Sequence, residues 1–282
     1  MEDFWAIYIE PSGRPGLDYW NYFAQRVVDL AAIPAGAAVL DVGTCDGNVL
    51  FKAMKKAGVQ GCGTGIDIDA YFFKDGVMRA NELGLGNVAF TQMDAGCLGL
   101  SSETYDSVLA NFVGWDDCFD FDRMEFIAPD RKLAEIMRVL KSGGQVGIGS
   151  WERQEDLEWL GEHFRRYFPE YVADLERETG SVMMVYGKEN AKGLESILRK
   201  GGCQDIEIIT ETAEFVSTDE EEWWRQMWRA GWRQHIGQVT RADSDKLEWL
   251  KERVFEDLQQ HKHNDGIHFS KTVLFAFGRK KL

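Results

Sequence analysis

Three carboxylates in this chain hold positions where ligand chemistry is done: Asp41, Asp67 and Asp94 each stand at the end of a short apolar run. Asp41 is followed by Val42-Gly43-Thr44-Cys45-Asp46-Gly47. An ionised carboxylate accepts hydrogen bonds and donates none, so at a strand tip it suits a ligand rich in hydroxyl or amine donors. Glycines let the backbone pass close beneath such a ligand, and the free N–H groups of the following helix add polar anchors. A second group lies downstream. Trp224, Trp228 and Trp232 fall at i, i+4 and i+8, with His235 next on the same helical face. Such a stripe either walls a pocket for an apolar or aromatic molecule, with His235 as a base at its rim, or docks the helix by its aromatic face. His261, His263 and His268 lack an acidic or Cys partner at ligand spacing and read as a polar loop without a metal.

The elements that must position these residues follow from periodicity and punctuation. The run 39–42 is a buried strand, and a helix runs from the glycine turn to about Ala57, closed by Gly58. A second strand ends at Asp67, with Asp69 placed to cap a helix over 71–83. Residues 88–92 form a third strand and 105–110 a fourth, which leads into the loop 111–117. A helix then meets Gly143-Gly144 and a fifth strand. Residues 204–215 and 271–278 read as the sixth and seventh strands, and 190–200 as a helix. At the start, Trp20, Phe23, Val27, Val28 and Ala31 recur at helical spacing over 17–32. Leu157, Leu160, Phe164 and Phe168 line another helix, and Leu247, Leu250, Val254 and Leu258 a further one. Within 217–221 a hydroxyl and a Glu three residues on suit a reciprocal helix cap.

A dinucleotide fingerprint, Gly-x-Gly-x-x-Gly, fails here, because from Gly43 the second glycine position holds Cys45 and the third Asn48. The segment instead resembles the first motif of the class I S-adenosylmethionine-dependent methyltransferases, acidic-x-Gly-x-Gly-x-Gly, matched at Asp41, Gly43 and Gly47 and departing at Cys45. The second and third strand tips and the helix, Gly-Gly turn and strand of 133–148 extend the resemblance over 34–150. It resembles the small-molecule methyltransferases of the ubiquinone/menaquinone-methyltransferase-like type. The resemblance implies a Rossmann-like α/β three-layer sandwich whose seven-stranded, mainly parallel sheet has an antiparallel last strand. It implies S-adenosyl-L-methionine as cofactor, held by Asp41, Gly43, Thr44, Cys45 and Gly47. Asp67, with Ile68 beside it, would take the ribose hydroxyls, helix capping being the other reading of Asp67. Asp94 and Ala95 would meet the adenine, and Asn111 would lie beside the cofactor. Trp115 and Asp116 would reach the acceptor, with His235, Asp116 or Asp117 as base where one is needed.

One domain spanning 1–282 is expected. Its parts are an N-terminal lid, 1–33, a cofactor-binding core, 34–150, and helical insertions at 151–186 and 216–265 forming a substrate cap. Residues 187–215 and 266–282 complete the sheet. Tyr8 and Tyr19 are the lid's candidate contacts, although the helix over 17–32 reads equally as packing on the sheet edge. The expected reaction is methyl transfer to a small, apolar or aromatic acceptor. Two rivals remain, a nicotinamide-dependent oxidoreductase and a non-catalytic scaffold, the latter kept open by Cys45.

Composition narrows the partners. With 47 acidic against 32 basic residues and a formal charge of −15, there is no broad basic surface for nucleic acid. The five cysteines are scattered and form no Cys-x-x-Cys pair, which fits reduced thiols rather than a disulfide framework. No long apolar run suggests a membrane span, and the acidic start is unlike a signal peptide, so a cytoplasmic location is expected. Nothing in the sequence sets the oligomeric state.

Overall fold

Phe23, Val27 and Val28 share one face of helix α1 (Tyr19–Leu30) and are all buried. Lys56 secures this helix from outside, donating to the carbonyls of Val28, Asp29 and Ala31 at 2.7, 3.0 and 2.7 Å, where C-terminal carbonyls lack partners of their own. Strand β1 (Ala38–Val42) is buried on both faces, as the middle of a parallel sheet requires. After it come α2 (Asn48–Ala57), β2 (Cys62–Asp67), α3 (Phe73–Glu82), β3 (Val88–Gln92) and β4 (Tyr105–Asn111). A small hairpin of β5 (Phe119–Asp120) and β6 (Glu125–Phe126) precedes α4 (Arg131–Val139) and β7 (Leu140–Gln154). The chain continues through α5 (Glu155–Tyr167), α6 (Pro169–Thr179), α7 (Ala191–Lys200) and β8 (Cys203–Ser217). It ends with α8 (Glu220–Met227), α9 (Arg233–Thr240), α10 (Ser244–Leu258), β9 (Lys262–His263) and β10 (Gly266–Lys280). The structure is a computed structural model and describes residues 18–179, 189–228, 232–240 and 244–282. Tyr8 lies outside these residues.

The sheet runs β3-β2-β1-β4-β7-β10-β8, with the two-residue β9 paired to β10. Pairs β3/β2, β2/β1, β1/β4 and β4/β7 are parallel, and the last strands are antiparallel, as expected from the sequence. The chain leaves β1 towards β2 and β3, then returns to pair β4 on the other side of β1. Strand order therefore reverses beside β1, and at such a switch point the loops at the carboxyl ends diverge and leave a crevice.

The described residues gather into two compact units. The first takes in Trp20–Glu152, Gly187–Glu211 and Val273–Leu282. Its core joins Leu40, Val42 and Val108 on the strands to Leu133 and Ile136 of α4 and Leu194 and Ile197 of α7. The second takes in Met1–Tyr19, Arg153–Tyr186 and Thr212–Thr272. In its core Leu157, Leu160 and Phe164 of α5 meet Trp223, Trp232 and Leu250, Val254 and Leu258 of α10. A buried ion pair, Lys271 with both oxygens of Asp156 at 2.5 and 2.6 Å, ties β10 to α5. Burial pulls the Lys271 ammonium below its ordinary pKa while Asp156 opposes the shift.

Two local expectations change. Helix α8 is capped by Asp219, which accepts from the Glu222 N–H at 2.8 Å, while Glu222 reaches back to the Thr218 N–H at 2.7 Å. The reciprocal cap thus sits further along than the Ser217 or Thr218 start suggested, because Asp at the cap position competes well with a hydroxyl. The tryptophan stripe is also split between elements. Trp224 lies in α8, Trp228 is its C-cap residue, and Trp232 precedes α9.

Candidate functional site

Four neighbouring strand ends carry the site residues of the first unit. In sheet order they are the Met93-Asp94-Ala95 turn after β3, Asp67 at the end of β2, the Gly43–Gly47 turn after β1, and Asn111 at the end of β4. The turn after β1 is built on alternating left-handed residues: Gly43 at φ +71°, Cys45 at +51° and Gly47 at +86°. Cys45 therefore adopts the conformation that a glycine would supply, and the departure from the motif is one of side chain, not of backbone path. Gly47 must lack a side chain, since a Cβ there would come within 2.7 Å of Phe51 and 2.8 Å of Phe90.

Asp41 braces this turn. Its Oδ2 accepts from the Thr44 hydroxyl at 2.7 Å and from the Leu50 N–H at 3.1 Å, while the Thr44 N–H donates to the Ile66 carbonyl at 2.9 Å. Burial, opposed by those two hydrogen bonds, pushes the Asp41 carboxyl up to about 7. A carboxyl whose pKa is raised on folding favours the folded state at low pH and disfavours it as pH rises from the ordinary value towards 7. Asp41→Asn removes that dependence and keeps an acceptor for Thr44. The ligand-free variant is expected to gain on the order of 2–4 kcal/mol over the wild type at pH 8, and little at pH 4, in thermal melts at the two pH values.

Asp67 is shared between the turn and its own strand end. Oδ2 accepts from the Cys45 N–H at 2.9 Å and Oδ1 from the Asp69 N–H at 3.1 Å. A carboxylate offers about four acceptor sites, so two remain for a diol. Beside it Ile68 is 70% exposed, an apolar side chain placed to cover a flat ring. Asp94 is also exposed; its Oδ1 accepts from the Gly96 N–H at 2.8 Å, and Ala95 packs at the edge of the core. At the β4 tip, the buried Asn111 Oδ1 has no hydrogen-bond partner among the described residues. A buried acceptor left unpaired costs about 1–3 kcal/mol, so a donor arriving from a ligand is well received there. Gly149 on β7 makes room for this oxygen, since a Cβ at 149 would lie 1.9 Å from Asn111 Oδ1.

The remaining expected contacts are distributed over both units. Trp115 is fully buried in the core of the first unit beneath the Lys132 ammonium, 5.1 Å from its ring, because the loop turns inward after Gly114. It does not present its indole to an acceptor. Asp116 is exposed on that loop. Tyr19 belongs to the second unit, edge-on to Phe215 at 5.8 Å and with the Lys271 ammonium 4.4 Å from its ring. Trp224 and Trp232 are buried in the second unit's core and Trp228 packs against it, so that segment docks by its aromatic face. His235 Nδ1 lies 2.9 Å from the Tyr171 hydroxyl, and burial holds its pKa below the ordinary value.

Three aromatics beside Asn111 were not assigned to the site from sequence. Phe112 stacks on Trp151 with ring centroids 4.0 Å apart and planes 8° apart, and Trp20 meets both edge-on at 5.5 and 5.7 Å. Phe112 has φ +61°, a costly conformation for a bulky residue, held by its N–H donating to the Gly149 carbonyl at 2.8 Å. Hydrophobic spacing marked Trp20 as a packing residue, and a left-handed Phe leaves no trace in sequence. Glu189, a buried carboxylate that contacts this loop, was missed as well.

The methyltransferase-domain family model matches residues 33–217. The chain belongs to the methyltransferase-domain family. Among relatives of the chain, aklanonic acid methyltransferase DauC from Streptomyces sp. (strain C5) is 34% identical over 139 residues, covering 49% of this chain and 58% of that protein. This match thus spans little more than half of the relative's length. Nocamycin O-methyltransferase from Saccharothrix syringae is 24% identical over 271 residues, covering 94% of this chain and 92% of that protein. Haemonchus contortus phosphoethanolamine N-methyltransferase 2, solved with S-adenosyl-L-methionine, superposes with a TM-score of 0.51 at 18% identity, over 93% of this chain and 53% of that one. The residues at these strand ends fit S-adenosylmethionine. The unpartnered Asn111 oxygen suits an ammonium, the spare acceptor sites of Asp67 suit a ribose, and exposed Ile68 suits a purine face. Among the described residues no helix is long and apolar enough to cross a membrane.

The thiols bear on the chemistry too. Burial, then the Asp46 charge, pushes the Cys45 thiol up to about 12; burial also lifts Cys118 to about 12 and Cys203 to about 11. Thiolate is the reactive form. Iodoacetamide at pH 7.5 is expected to label exposed Cys62 and Cys97 in the native chain and to spare the other three, as read by peptide mass spectrometry.

Proposed function

We propose that this methyltransferase transfers the cofactor methyl group to an oxygen of an apolar, aromatic small molecule. The observation that carries the reading is the stacked Phe112–Trp151 pair with Trp20 edge-on, half-exposed and one residue along from Asn111. Flat apolar rings bind a flat apolar acceptor by burial and offset stacking. Oxygen as the acceptor atom is supported by the relative that is a nocamycin O-methyltransferase, and a ring-bearing acceptor by the aromatic wall.

When bound, S-adenosylmethionine supplies a methyl carbon already activated by its sulfonium. The chain's task is to hold acceptor and methyl in line and to exclude water. In this reading Asp67 holds the ribose, Asp94 and the Ala95 N–H the adenine, and Asn111 Oδ1 the methionyl ammonium. Asp41, Thr44 and the glycines keep the turn in shape. A phenol acceptor would pass its proton to a base, and Asp116, exposed on the loop after β4, is assigned that part. A carboxylate acceptor needs no base.

The test is a panel of hydroxylated polycyclic aromatics, aromatic carboxylic acids and aliphatic amines, each incubated with S-adenosylmethionine bearing a labelled methyl group. Labelled methyl ethers or esters of the aromatic members are expected by mass spectrometry, with Trp151→Ala raising KM for them at least tenfold. Methylation of the amines alone would overturn the assignment.

A further inference from the structure

The peptide group joining Gly114 to Trp115 is gripped at both ends by opposite charges. Lys132 Nζ donates to the Gly114 carbonyl at 2.7 Å, and the Trp115 N–H donates to Glu189 Oε1 at 2.5 Å. Gly114 sits at φ +80°, so without these grips its peptide plane is free to rotate as no side-chain-bearing residue's is. Glu189 comes from the turn that leads into α7, and it is 7% exposed. Its second oxygen accepts from the Ser150 hydroxyl on β7. A surface glutamate with spare conformers would hold nothing; a buried one with both oxygens occupied fixes three segments at once.

From those contacts, and resting on the cofactor reading above, we infer that Glu189 and Lys132 are positioning residues that set the amino-acid end of the cofactor site by clamping the 114–115 peptide against β7. The path to Asn111 is short. Ser150 follows Gly149, whose carbonyl takes the Phe112 N–H and whose missing side chain makes the room for Asn111 Oδ1. The clamp thus immobilises the loop on one side of Asn111 and the β7 residues on the other. Charges around it are arranged to match. Lys132 also donates to Asp117 Oδ1 at 2.6 Å, leaving one ammonium shared between the loop's carbonyl and its carboxylate. Burial, with the nearby Asp116 charge adding to it, raises the Glu189 pKa, while Lys132 opposes the shift. At the adenine end Asp67 and Asp94 are held by hydrogen bonds within their own turns.

That division gives the test. S-adenosylhomocysteine has both the adenosine and the amino-acid end, whereas 5′-methylthioadenosine has only the adenosine end. Calorimetric titration of the wild-type chain is expected to show binding of both. Glu189→Ala is expected to weaken S-adenosylhomocysteine at least tenfold and methylthioadenosine less than threefold. Glu189→Gln retains an acceptor for the Trp115 N–H, and the Ser150 hydroxyl can turn to accept from its amide; it should stay within threefold of wild type for both ligands. Lys132→Met, at a partly exposed position, is expected to lower S-adenosylhomocysteine binding about fivefold and to spare methylthioadenosine, and it carries the decision if Glu189→Ala does not fold. Equal loss of both ligands, or loss of neither, in the folded variants would overturn the clamp. Failure of the wild type to bind either ligand would overturn the cofactor reading beneath it.

Discussion

Asp67→Ala is expected to weaken S-adenosylhomocysteine binding about 100-fold while leaving the chain folded. The side chain stands at the end of β2 with two acceptor positions committed to the Cys45 and Asp69 N–H groups. Hydrogen bonds from a ligand's hydroxyls to a carboxylate contribute roughly 1.5–3 kcal/mol each, and losing a pair of them outweighs any relaxation of the turn. Replacement also frees the Cys45 N–H, so the turn after β1 loses one of its anchors and the effect extends beyond the ribose. Asp67→Asn should fall between, because an amide keeps one acceptor oxygen and turns the other position into a donor. Calorimetry gives the affinities and a thermal melt checks the fold. Unchanged affinity in Asp67→Ala would return this carboxylate to the helix-capping role that its sequence position also allows.

Gly149→Ala is expected to lower S-adenosylhomocysteine affinity at least tenfold through a single added methyl group. The new carbon would lie 1.9 Å from Asn111 Oδ1 and 3.0 Å from its Cγ, too close for either to stay. Asn111 must rotate or β7 must shift, and in both cases the oxygen that suits the methionyl ammonium is displaced. Asn111→Ala serves as its companion. If the asparagine is the point of action, combining the two substitutions should cost little more than Gly149→Ala alone, as residues in contact are non-additive. Additive losses would place the damage in the sheet instead.

The strand-end acids of the candidate cofactor site were legible in the sequence because their signals are local. A strand, a glycine turn and an acid at each strand end are contiguous, and the sheet order then brings Asp41, Asp67 and Asp94 to adjacent tips. The acceptor side was not legible to the same degree. Trp115 sits on the expected loop, yet the direction of its indole depends on Gly114 and on the distant Glu189, which no spacing reveals. Phe112, Trp151 and Trp20 come together from three elements, and only the fold makes them neighbours. The tryptophan stripe shows the reverse case. Its helical period was read from the sequence, but periodicity alone cannot tell a pocket wall from a packing face, and Trp224 and Trp232 are core. Cys45 looked like a departure from the motif, yet its left-handed backbone preserves the shape that the motif encodes.

The most direct measurement is calorimetric titration of the full chain with S-adenosylhomocysteine, run beside NADH. One-to-one binding of S-adenosylhomocysteine in the micromolar range, with no heat from NADH, is the predicted result. Binding of NADH in its place, or of neither, would contradict the assignment of the Gly43 turn and with it the account of the site.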